Sequence, residues 1–155
     1  MTTDTEKTLV TNRSNLYEQD YYLWLETTVK KIRSHNFDSV DWENLLEELE
    51  SLGRSERNAL KSRLAVLLLH LLKYRYQPSH RSNSWLCTIN EQRRQIEFVL
   101  EDSPSLKSYL TEIFAKCYQV ARRDAASETG LPANTFPDES PFSLEETLNP
   151  DLLPE

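Results

Sequence analysis

Glycine is nearly absent: the chain of 155 residues has only two, Gly53 and Gly130. With no β-branched alternation either, this argues against a sheet-rich fold turned by glycine hairpins. Cysteine is as rare. Cys87 and Cys117 form no C-x-x-C pair, so neither a disulfide framework nor a thiolate metal site is indicated. Reduced thiols in the cytoplasm are the expectation. Long apolar runs are missing. The longest, Leu64 to Leu69, falls far short of the roughly 20 residues needed to cross a bilayer. The opening MTTDTEKTLVTNRSN has no signal-peptide core. There is no Gly-rich phosphate loop, no serine nucleophile elbow and no Glu-x-x-His pair for a di-iron bundle. No metal, cofactor or membrane is therefore expected.

What is present is charge, unevenly spread. Hydrophobic residues make up 38% and charged residues 28%, as in a soluble globular protein of polar character, and the net charge is −7. Residues 1–53 hold −6, residues 54–100 hold +6 and residues 101–155 hold −7. A basic middle lies between acidic ends. Either the ends pack on the middle and cancel its charge, or a basic face stays open to phosphates or an acidic partner.

The periodicity is helical nearly throughout. The spacing predicts an all-α, single-domain bundle of about five helices with short connections and an acidic, Pro-rich C-terminal tail. Residues 1–14 read as loose, 15–130 as the bundle, and 131–155 as an extended tail packed on it. Asn15 and Glu18 read as a capping box for the first helix, whose apolar face is Tyr21, Trp24, Leu25, Thr28, Val29 and Ile32. Asp41 caps the second, with Trp42, Leu45, Leu46, Leu49 and Leu52 as its stripe. Gly53 either separates or kinks the second and third helices. The third, apolar over most of its girth, runs from Ser55 to Pro78 and is expected at the centre. Ser82 to Ser84 supply the cap of the fourth. Ser103 and Pro104 read as the start of the fifth, and Gly130 as its end. Phe136, Phe142 and Leu144 are expected to pin the tail, where Ser143 and Glu146 can cap one turn.

A histidine sits in the most apolar stretch. Glu56, Arg63, His70 and Gln77 are spaced by seven, so they form a polar line down the third helix. Glu43, Glu47 and Glu50 share one flank of the second. If these two helices pack antiparallel, Glu47 and Glu50 meet Arg63 and His70, and His70 is a polar pin with a partner. The other reading is catalytic. Arg63, six residues, then His70 resembles the motif of the HEPN ribonucleases, helical domains that cut RNA without metal. There the His and Arg act on the attacking 2′-hydroxyl and the scissile phosphate. Leu64 stands where those enzymes usually have a polar residue. A third set, Arg54, Arg57, Lys73, Arg75, Arg81, Arg93 and Arg94, lies along helices three and four among Tyr74, Tyr76 and Trp85. It reads either as a solvated or salt-bridged face or as a nucleic-acid-binding one.

The segments LYEQDYYLWLETTVKKIRSHNFDSVDWENLLEELESLGRSERNALKSRLAVLLLHLLKYRYQP and SWLCTINEQRRQIEFVLEDSPSL, with the ending ETGLP and FP, resemble the family called domain of unknown function twenty-nine, abundant in cyanobacteria. The resemblance covers about residues 16–153. Its pattern includes Tyr17, Asp20, Trp42, Glu47, Glu48, Glu50, Gly53, Arg54, Arg63, His70 and Lys73, then Trp85, Ile89, Arg93 and the turn from Asp102. It implies a helical fold and no activity. The expected function is thus a small cytoplasmic binding module whose partner is another protein. A metal-independent ribonuclease using Arg63 and His70 is the alternative, and nucleic-acid binding the next. Assembly of identical copies stays open.

Overall fold

In a computed structural model, residues 16–155 are described. Asn15, the expected first cap, lies outside them. Among the described residues there are helices, short 3-10 turns and no strand. The chain divides at Gly53 into two compact units.

The first unit holds a helical stretch at 16–19, helix α1 (Tyr21–Arg33) and the opening of helix α2 (Trp42–Tyr76). The Asp20 carboxylate accepts from the Leu23 N–H, 2.9 Å away, and so caps α1. Three basic residues, Lys30, Lys31 and Arg33, occupy its last turn, where the helix dipole favours them. The chain then turns through His35, whose φ of 60° is left-handed, a conformation uncommon outside glycine. Asp41 caps α2: its carboxylate accepts from the Asn44 N–H at 3.3 Å and from the Asn44 side chain at 2.7 Å. Trp24, Thr28 and Val40 are buried here. The Thr28 hydroxyl donates to the Trp24 carbonyl at 2.7 Å, which satisfies it one turn back.

α2 runs unbroken through Gly53 for 35 residues. The expected second and third helices are one element, so their antiparallel packing does not occur. The physical reason is local. Gly53 has no positive φ, and leucines, glutamates and arginines on either side favour helix enough to absorb one glycine.

The second unit, residues 54–155, is built round the rest of α2, with α3 (Asn83–Asp102), α4 (Leu106–Thr129) and the short α5 (Leu144–Leu148). Leu60, Leu64, Leu67, Leu68, Leu71 and Leu72 of α2 are buried to 1% exposure or less. They meet Ile89 and Ile96 of α3 and Leu110, Ile113 and Tyr118 of α4 in one cluster. Cys117, Ala121 and Ala125 give α4 a small-residue stripe, and the Cys117 Sγ lies 3.6 Å from the Lys61 carbonyl of α2. Ser82 caps α3, its hydroxyl accepting from the Trp85 N–H at 3.3 Å. α4 begins two residues later than its proline suggests: Pro104 and Ser105 form a turn, and Leu106 is the first helical residue. Gly130 ends it at φ 71°, the left-handed position that glycine takes without strain.

Past Gly130 the chain is held by side chains of α4. Tyr118 donates to the Pro137 carbonyl, Arg122 Nε to the Phe136 carbonyl at 3.0 Å, and Arg122 pairs with Asp138 at 3.0 Å. Phe136 and Phe142 enter the core cluster. Ser143 caps α5 by accepting from the Glu146 N–H at 3.1 Å.

Candidate functional site

His70 and Arg63 share one face of α2, about 10 Å apart along the axis by helix geometry. His70 is half-buried, and its Nδ1 sits 2.9 Å from the Val66 carbonyl one turn back. A carbonyl accepts only, so Nδ1 is the donor in this bond. The partner expected from Glu47 or Glu50 is thus supplied by the same helix. Arg63 Nη1 donates to the Gln92 side chain at 3.4 Å, a long bond. The His70 ring thus has a partner on its own helix.

Most of the seven bases expected on one face have separate contacts. Arg57 lies over the Tyr109 ring at 4.6 Å and Arg81 over Tyr74 at 4.3 Å. Lys73 pairs with Glu128 at 2.8 Å and lies over Trp85 at 4.7 Å. Arg75 is within 6 Å of both Tyr76 (5.7 Å) and Phe142 (5.9 Å). These are cation–π contacts, so the aromatic rings available for base stacking are partly occupied by the chain's own cations. Arg54 is exposed and engaged, and Arg94 is exposed.

Arg93 is not on the open face of the helices. It is 4% exposed, and its Nε donates to the Thr147 carbonyl at 2.8 Å while Nη2 donates to the Glu146 carbonyl at 3.3 Å. A helix leaves its last carbonyls without partners, and here a buried guanidinium supplies them for α5. Burial alone lowers the Arg93 pKa, since desolvation disfavours the charged form. Its place was legible: Ile89, Arg93, Ile96 and Leu100 recur at helical spacing, which puts Arg93 on the buried stripe of α3.

In the first unit, one carboxylate gathers two phenols. Tyr17 and Tyr21 both donate to Glu48, the second at 2.7 Å. Tyr17 also stands edge-on to the Trp24 ring, centroids 4.8 Å apart. The hydrogen bond to Glu48 pushes the Tyr17 pKa up to about 12, raises that of Tyr21, and in return lowers that of Glu48. Helical spacing groups Glu43, Glu47 and Glu50 and gives Glu48 no role. Glu48 lies on the flank that faces the tyrosines, a distinction of one helical step.

Beside that cluster, most of the apolar stripe at the opening of α2 is exposed. Trp42 is 46% exposed, Leu46 and Leu49 are 56% exposed, and Leu52 is 64% exposed. Tyr22 and Val29 of α1 are exposed as well. The sequence marks these residues as apolar positions at helical spacing, and it does not say that they stay exposed.

No curated protein and no solved structure matches the chain. Among the described residues no helix is long and apolar enough to cross a membrane. A family model, Domain of unknown function DUF29, matches residues 16–153. The match takes in both units, including the tyrosine pair on Glu48 and the Arg93 clamp, and the chain belongs to that family.

Proposed function

We propose that this protein works by binding another protein, and that the docking surface is the uncovered face of the first unit. The observation behind this is the exposure of Leu46, Leu49 and Leu52 along one side of α2, each by more than half. Contiguous exposed apolar side chains mark interaction sites more often than scattered ones do. Burying a leucine on association contributes on the order of 1.5–3 kcal/mol at most. Trp42, on the same side, supplies the aromatic anchor that interfaces favour.

The bordering charge says what partner fits. Glu43, Glu47 and Glu50 run along one edge of the leucines, and residues 16–53 hold nine acids against three bases. The occupant is an amphipathic helix of another protein, apolar along one stripe and flanked by Lys and Arg. The two cysteines, one exposed and one buried, are free, and the setting we infer is the cytoplasm.

Affinity capture with the intact chain and with Leu49→Glu tests the reading. The expected result is a protein held by the wild type and lost with Leu49→Glu, with protection from amide exchange in a basic-flanked helix of that protein. Equal capture by the variant, capture of a further copy of the chain only, or no capture would overturn it. RNA cleavage in EDTA that disappears in His70→Ala would put the ribonuclease reading in its place.

A further inference from the structure

A cleft of about 600 Å³ lies in the second unit between α3, the start of α4 and the segment after α5. That is the size of a small-molecule site. Its apolar wall is Ile96, Leu100, Leu148 and Pro150. Its polar lining includes Arg93, Arg94 and Lys107 against Glu97 and Glu101. Among the described residues none of these five makes an ion pair.

Arg93 gives the cleft its sign. The guanidinium is nearly sealed, it is bound only to two neutral carbonyls, and Nη1 has no partner among the described residues. A buried cation without a carboxylate keeps its field, because little water screens it. Arg94 and Lys107, both exposed, add mobile cations at the rim. The two glutamates are also on α3, and the lining still holds one more positive charge than negative.

We propose that this cleft binds a small amphiphile with a single anionic head, carboxylate or phosphate, whose apolar body lies against Ile96, Leu100 and Leu148. The head takes up Arg94 and Lys107 in the field of Arg93. A bound ligand spans α3 and the segment after α5, so it also holds the Arg93 clamp closed. This site is separate from the protein-docking face and stands or falls without it.

The test is NMR titration of the full chain with octanoate and with octyl phosphate, beside octanol and octylammonium. The methyl groups of Ile96, Leu100 and Leu148 are the reporters. The expected result is saturable shifts with one or both anions, which also says which head is preferred. The double variant Arg94→Gln/Lys107→Gln should weaken the anion by about ten-fold, the scale of one lost charge-assisted hydrogen bond. Both side chains are exposed, so the fold survives, and the melting temperature checks that. Absence of shifts with either anion would overturn the proposal. So would octanol binding as tightly as the anions, tighter binding of octylammonium, or unchanged anion affinity in the double variant.

Discussion

Replacing Arg93 by methionine tests whether a buried cation truly holds the end of the chain. The side chain makes two hydrogen bonds to carbonyls, 2.8 Å and 3.3 Å long. Hydrogen bonds from a charged donor contribute about 1.5–3 kcal/mol each, so the gross loss is about 3–6 kcal/mol. Against it stands the relief of a buried charge with no carboxylate, of order 1–4 kcal/mol when an apolar side chain fills the space. The expected net loss for Arg93→Met is therefore about 2 kcal/mol. Arg93→Lys should be worse, because it keeps the buried charge and gives up the fork that spans both carbonyls. Urea unfolding gives the free energies. Amide exchange at Thr147 and Asn149, whose N–H groups bond to Ser143 and Glu146, reads the local effect. If methionine is neutral or stabilising, or if lysine equals arginine, the clamp is not what fixes α5.

Further outcomes follow from the rest of the structure. Leu68→Ala, at a fully buried position of α2, should cost about 3–4 kcal/mol in urea unfolding; less than about 2 would mean that the core cluster is misassigned. Gly53→Ala should stabilise by about 0.5–1 kcal/mol, since a Cβ there meets nothing within 4 Å and the helix is continuous; a loss of stability would mean the glycine is needed as a hinge. The Tyr17 hydroxyl, its pKa raised to about 12, stabilises the fold below pH 10, and that contribution is lost as pH rises from 10 through 12. Glu48, its pKa lowered, stabilises above the ordinary glutamate pKa of 4.5, and that contribution is lost as pH falls below it. A tyrosinate absorbance titration should accordingly lose its latest step in Tyr17→Phe, and the Glu48 carboxyl should titrate below the ordinary glutamate value by NMR. A thiol reagent should modify Cys87 at once and Cys117 only on unfolding, because burial raises the Cys117 pKa and seals its sulfur; two fast equivalents would contradict the packing of α4 on α2.

The helices were legible because their punctuation is local. Asp41, Ser82, Gly130 and Ser143 each do what their residue type favours at a helix end. The core leucines of α2 follow from spacing alone. Gly53 was ambiguous because one glycine in a helix costs only about 1 kcal/mol, less than its neighbours supply. Charge type groups Arg93 with the surface bases, whereas its position between Ile89 and Ile96 marks it as buried. The exposed leucines pose a different difficulty. Periodicity says that a stripe is apolar, and it does not say whether the fold of the same chain covers it. His70 shows the same limit at short range: its partner is the Val66 carbonyl, which every residue has and no side-chain pattern marks.

The most direct measurement is photo-crosslinking from position 49 in living cells, with a crosslinker at exposed Glu112 as the control surface. A discrete adduct is expected from position 49 and none from 112, joined to a helix of another protein with Lys or Arg beside its apolar stripe. Adducts of equal yield from both positions, or none from position 49, would contradict it.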